Sequence, residues 1–274
     1  MIQVKDFGEV RQFRLARAVR GRPLYFTSAY LVDGLLIDTG CAHTSEELTR
    51  ALDGAALGRI VNTHSHEDHI GANAVLQQRF GLEVLIHPVG LPVLEAPRRR
   101  QPLRPYQLVM WGYPSPSKGR PLDQVVETDR FSFQVIHTPG HSPDHVCLYE
   151  PDRGWLFSGD AFVGGRDRAL RADYNIWLII DSLRRLSELD VGLIFTASGS
   201  VKEDGRNALK EKVDYLEEVG RRVLELAEQG VSFSRIRRKV FGPELPIYYI
   251  TLGHFSGKNL VRSFIQDRPT DKEA

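Results

Sequence analysis

Short apolar runs separated by turn residues fill the first two thirds of the chain. From Leu209 onward the apolar positions fall instead at three- and four-residue spacing. Short β-rich runs bounded by Gly, Pro, Asn or Asp read as strands. LYFTSAYLV (24–32) and LLID (35–38) form such a pair, and the Asp33-Gly34 between them predicts a two-residue hairpin. Thr39-Gly40 ends the second strand. Thr44-Ser45-Glu46-Glu47 then predicts a capping box opening a helix through about residue 52. GRIVNTH (58–64) predicts a strand, the apolar positions Ile70, Ala74 and Val75 through Phe80 a helix, and EVLIH (83–87) another strand. This alternation argues for an α/β fold with helices covering sheets.

Residues 88–121 break the pattern, with eight prolines and with Tyr106, Trp111 and Tyr113 among them. Proline at that density excludes long regular elements. An insertion of this length (87–121) either covers a substrate site or interface, or merely connects. Strands resume at DQVVET (123–128), FSFQVIH (131–137), HVCLYE (145–150) and GWLFSG (154–159). IWLIIDSLRRLSEL (176–189) predicts a helix and VGLIFT (191–196) a final strand. Leu209, Val213, Leu216, Val219, Val223 and Leu226 line one face of a long amphipathic helix over 207–229, stopped by Gly230. Shorter helices are expected over 232–240 and 258–266, and a frayed charged tail over 267–274. With no repeat and no low-complexity linker, the chain reads as one domain, 1–274, whose helical C-terminal segment (205–268) packs on the core.

Composition narrows the function. Hydrophobic residues at 42% and charged residues at 26% suit an ordinary globular core. A net charge of +1 gives no electrostatic case for nucleic acid or for a membrane surface; Arg98-Arg99-Arg100 is a local exception. Cys41 and Cys147 are too few for a disulfide framework and suit a reducing interior. No secretory signal and no membrane-spanning run is visible, so a cytoplasmic location is expected. The expected partner is a small-molecule substrate, with homo-oligomerisation left open.

The chemistry concentrates in THSHEDHIG (63–71). His64 and His66, two apart at a strand end, share a face, while Asp68 and His69 follow where the chain turns into a helix. Imidazole and carboxylate are ligands for zinc and other divalent first-row ions. More distant ligands are needed, and two places offer them: His141 in HTPGHSPDH (137–145) and Asp160 in FSGDAF (157–162).

Together with LIDTG (36–40), these motifs resemble the metallo-β-lactamase superfamily in order and spacing over roughly residues 20–200. The resemblance implies a four-layer αββα sandwich with metal bound at one edge. It implies that His64, His66 and His141 form one metal pocket, that Asp68 and His69 bind a second metal, and that Asp160 bridges the two. Asp38 would orient the ligand loop. One position departs from the family. Ser198, in IFTASGS (194–200), stands where a histidine normally completes the second site. Three outcomes follow: a single metal, two metals with water or Ser198 filling the gap, or another histidine reaching in, with His254 the best placed. His43, His87, His137, His145 and Cys41 read better as structural than as ligands.

The resemblance implies a hydrolase whose metal, zinc (Zn2+, one or two ions) or else iron or manganese, generates hydroxide at neutral pH. Ester, thioester, lactone, β-lactam and phosphodiester bonds all suit such a site. Asp68 is also placed to shuttle a proton. The competing activity is a mononuclear iron oxygenase acting on persulfides. A flavodiiron oxidoreductase, a nuclease and a metal-binding regulator fit less well.

Overall fold

The computed structural model describes residues 1–268; the part of the expected frayed tail from Pro269 onward lies outside them. Two sheets are stacked face to face. The first has seven strands in the spatial order Ile2–Phe7, Val10–Leu15, Thr27–Val32, Leu35–Ile37, Arg59–Val61, Glu83–Ile86 and Gly119–Pro121. It is antiparallel up to Leu35–Ile37 and parallel beyond it. The second has six: Val125–Glu127, Ser132–His137, Val146–Glu150, Trp155–Gly159, Leu193–Thr196 and Val201–Glu203. In it only Trp155–Gly159 and Leu193–Thr196 run parallel, joined across the helix Ile176–Ser187.

Alternation of side chains within strands builds the layers. Leu35, Ile37, Val61 and Leu85 face inward and meet Phe133, Leu148, Phe157 and Phe195 of the second sheet. Their neighbours Leu36, Ile60, Val84 and Ile86 face outward, under Leu48 and Leu76 of the helices Ser45–Ala51 and Asn73–Phe80. On the far side Cys147, Leu156 and Ile194 lie under Leu183 of the helix Ile176–Ser187 and under Leu209, Leu216 and Phe264 of the C-terminal helices. The result is the αββα sandwich that the sequence motifs imply.

The Asp33-Gly34 turn has positive φ at both residues, 46° and 78°, and pairs Val32 with Leu35 as the hairpin reading predicts. The long helix spans Gly205–Glu228 and buries Leu209, Val213, Leu216, Val219 and Val223. Three expectations need correction. The capping box does not form: a 3-10 turn, Ala42–Thr44, precedes the helix, and the Thr44 hydroxyl donates to the Cys41 carbonyl at 3.1 Å instead. The strand Leu193–Thr196 is not the last, because Val201–Glu203 folds back onto it. The hairpin Ile2–Phe7/Val10–Leu15 adds two strands where the sequence pattern predicts none; its outer strand carries exposed polar residues that mask the alternation. In the proline-rich segment the prolines open three short helices, Leu91–Glu95, Pro97–Arg100 and Pro105–Met110, each with proline in its first turn.

Candidate metal centre

The site lies where the two sheets touch directly, through the Val146 N–H donating to the Thr63 carbonyl at 2.8 Å. Beyond the strand Arg59–Val61 the chain carries His64, His66, Asp68 and His69 to this edge. Gly71 permits the packing that follows: a Cβ there would lie 2.2 Å from the Cys41 carbonyl carbon, and its N–H donates to Gly40 at 2.8 Å. Beyond Ser132–His137, Gly140 (φ 127°) presents His141; a Cβ at Gly140 would lie 2.5 Å from the Ile179 nitrogen. Beyond Trp155–Gly159, Gly159 (φ 48°) presents Asp160, close against Thr63 and His145.

Two donor sets result. His66 Nδ1 lies 2.9 Å from His64 Nε2 and 2.9 Å from His141 Nε2. His69 Nε2 lies 3.7 Å from Asp160 Oδ2, which is itself 3.3 Å from His141 Nε2. The ligand atoms of His64, His66 and His141 fall within 4.8 Å of one another, as do those of His64, His69 and Asp160. Asp68 stands beside the second set, its Oδ2 3.9 Å from His69 Nε2 and its side chain in the cavity wall.

Buried hydrogen bonds fix the ring tautomers. Asp38 accepts from the Thr63 N–H, the Thr63 hydroxyl and His69 Nδ1, each at 2.8 Å. The Thr63 oxygen in turn takes His64 Nδ1–H at 3.1 Å. The Nε2 lone pair of His64 therefore faces the site, and the Asp38 bond to Nδ1 turns His69 Nε2 toward it as well. His145 Nε2 accepts the Asp160 N–H at 3.0 Å while Nδ1 donates to Thr138 at 2.7 Å. His145 thus holds the Asp160 backbone in place, in line with the structural reading of it.

Burial holds the His64 and His66 rings well below the usual imidazole range and His141 down to about 4, so all three are neutral donors. Burial also opposes charge on His69, but Asp38 and Asp68 with Asp160 outweigh it and raise that ring well above its usual value. Burial raises Asp68 to about 7, with Glu67 and Asp160 adding to the effect. Burial works the same way on Asp160, yet His141 and His69 keep its carboxyl below the ordinary range.

A cavity of about 260 Å³ opens onto these residues. Tyr25, Tyr106, Trp111 and Tyr174 supply aromatic wall, and Leu170 and Ile179 are among the aliphatic residues. Arg171 also lines it, clamped by Asp173 through bonds of 2.7 and 2.9 Å. The proline-rich segment contributes Tyr106, Met110 and Trp111, so it covers the site rather than merely connecting.

His254 does not reach the metal ligands. Its Nδ1 accepts from the Tyr106 hydroxyl at 2.8 Å and its Nε2 faces Asp173 at 3.8 Å, so it ties the C-terminal segment to the proline-rich one. Among the described residues neither donor set contains it. Ser198 is turned toward Thr196, hydroxyl to hydroxyl at 2.9 Å. His43 contacts the Leu108 carbonyl, His87 and His137 stack on each other, and buried Cys41 lies against Thr44.

Three residues with structural weight at the site drew no role from sequence. Asp144 binds the Ser65 N–H at 2.9 Å and the Ser142 hydroxyl at 2.7 Å, locking the two ligand loops together. Glu67, buried, accepts from Gln107 at 2.7 Å and Gln101 at 3.1 Å, anchoring the proline-rich segment to the ligand loop. Tyr174 places its hydroxyl 3.2 Å from His141 Nε2. The first two adjoin motif histidines, which is the one local signal available.

Comparison with known proteins agrees with this geometry. The family model described as Metallo-beta-lactamase superfamily matches residues 22–198. A hydroxyacylglutathione hydrolase of Rhizobium meliloti is 32% identical over 181 residues, covering 60% of this chain and 60% of that protein. An atrochrysone carboxyl ACP thioesterase of Aspergillus fumigatus is 26% identical over 231 residues, covering 80% of this chain and 66% of that one. The chain thus spans less than two thirds of the length of these curated relatives. The crystal structure of TTHA1623 in a di-iron-bound form superposes with a TM-score of 0.52 at 32% identity, over 67% of this chain and 92% of that chain.

Proposed function

The chain belongs to the Metallo-beta-lactamase superfamily, and on that premise we propose that it is a metal-dependent hydrolase of ester, thioester or lactone bonds in a small-molecule substrate. The observation that carries this reading is the convergence of three neutral imidazoles, with Asp160 alongside, at one end of a largely apolar cavity. The donors fit a metal ion. Zinc–nitrogen bonds of about 2.1 Å arranged tetrahedrally put nitrogens ~3.4 Å apart, and the ring nitrogens here converge to 2.9 Å. The carboxylates around His69 call for positive charge, which that ring otherwise supplies itself.

His64, His66 and His141 would hold one ion; His69, Asp160 and Asp68 would hold a second. A divalent ion supplies a Lewis-acid centre and a water of lowered pKa. Asp68, facing the cavity, would orient the attacking water and pass its proton to the leaving group. The aromatic wall excludes bulk water and receives the acyl part of the substrate. Zinc is our assignment because nitrogen-rich tetrahedral sets suit it; iron or manganese is the alternative, and the di-iron form of the 32%-identical structure supports iron. Thioesters lead among the bonds, since one relative is an ACP thioesterase and another a hydroxyacylglutathione hydrolase.

We place the protein in the cytoplasm, a reading supported by two buried free cysteines. Among the described residues no helix is long and apolar enough to cross a membrane. The test compares wild type with His64→Ala and Asp160→Ala for metal content and for hydrolysis of an acyl-thioester series. Wild type should retain metal and cleave; both variants should lose both properties. Hydrolysis by a variant stripped of metal would overturn the reading, and oxygen uptake on a persulfide with one iron bound would replace it with the oxygenase.

A further inference from the structure

Tyr174 sits beside the reacting end of the cavity for reasons visible in the backbone. The Asn175 N–H donates to the Gly140 carbonyl at 2.9 Å, and Asn175 then caps the helix Ile176–Ser187 through the N–H groups of Trp177 and Leu178. Gly140 precedes His141, so one backbone bond fixes His141 and Tyr174 side by side. Their rings lie 4.3 Å apart and the phenol oxygen is 3.2 Å from His141 Nε2. The same ring stacks on His66 at 6.1 Å, and the Arg171 guanidinium lies 5.1 Å from its centre.

A phenol is a donor at neutral pH, and His141 Nε2 has a single lone pair to accept with. An ion held by that nitrogen takes the lone pair, and the Tyr174 O–H then loses its partner inside the cavity. Resting on the hydrolase reading above, we infer that Tyr174 is a catalytic residue that donates a hydrogen bond to the substrate carbonyl oxygen as it becomes an oxyanion. When water adds to the carbonyl carbon, the C=O π pair moves onto that oxygen. When the pair returns, the bond to the thiolate or alkoxide leaving group breaks. Tyr174 keeps its proton throughout and is neither acid nor nucleophile. Donors fixed in advance toward developing charge act in this way. The cationic Arg171 above the ring sharpens the O–H as a donor.

The test is Tyr174→Phe, which keeps the packing and deletes one oxygen. It is assayed on S-hexanoyl-N-acetylcysteamine, with metal content measured in parallel and with phenylboronic acid as a tetrahedral probe titrated calorimetrically. We expect kcat about 100-fold lower, KM within a factor of three (~0.6 kcal/mol, uniform binding), unchanged metal content, and at least tenfold weaker boronate binding. Unchanged kcat and unchanged boronate affinity would overturn the inference. So would loss of metal from the variant, which would make Tyr174 a support of the metal pocket. A wild type inactive on every ester and thioester tried overturns the hydrolase reading itself and the oxyanion role with it.

Discussion

At the residue scale, the groups that hold other groups decide how well the site is formed. Asp38 receives three hydrogen bonds while its backbone adopts φ 59°, and it sets the orientation of both Thr63 and His69. Asp38→Asn keeps the volume but places an N–H where an acceptor is needed; metal affinity should fall about 10- to 100-fold, measured by chelator competition. His254 gives a separate, acid-sensitive link. Burial, with Arg171 and Arg104, holds its pKa down to about 4, while Asp173 pulls the other way. Its neutral Nδ1 accepts from Tyr106, and that bond is lost on protonation. A base whose folded pKa is depressed costs stability as pH falls below its unfolded value. The stability advantage of wild type over His254→Gln should therefore shrink between about pH 6.5 and pH 4 in chemical denaturation. An advantage constant over that window would remove the link. The candidate ligands His64, His66, His141 and Asp160 were legible in sequence because they stand in short motifs, the last two directly after a glycine. Asp144, Glu67 and Tyr174 were not, because their partners lie 79, 40 and 33 positions away.

At the element scale, strand ends carry the chemistry and glycines set how closely elements approach. Gly140→Ala forces a Cβ into the first turn of the helix Ile176–Ser187. Its expected cost is at least about 2 kcal/mol, seen as a lower denaturation midpoint, together with weaker metal retention as His141 is displaced. A variant of wild-type stability and metal content would mean that the turn has more room than its distances allow. Strands and helices with clean periodicity were readable to within a few residues. The misreadings have separate physical causes. The Thr44 hydroxyl found a nearer carbonyl, the Val201–Glu203 strand needed a pairing edge from Leu193–Thr196, and exposed polar residues interrupt the outer strand of the N-terminal hairpin. His254 lies outside both donor sets among the described residues, paired instead with Tyr106 of the proline-rich segment.

At the scale of the whole molecule, the family resemblance read from four motifs already implied the sandwich, and the match over residues 22–198 agrees with it. What sequence did not convey is how the outlying pieces meet. The proline-rich segment and the C-terminal helices have no motif of their own, yet they join through Tyr106 and His254 over the cavity. Such a junction depends on surfaces that exist only after folding.

The seam between the sheets has one more consequence. The residues before the second sheet supply His64, His66 and His69, and those after its start supply His141 and Asp160, so among the described residues neither half of the chain owns a whole donor set. Bringing Thr63 against Val146 closes a long loop, a step whose entropic cost precedes any reward from the site. Metal capture therefore depends on completed folding: a nascent chain holding only the first sheet offers His64, His66, Asp68 and His69, part of each donor set, and the sets are complete only once the second sheet docks.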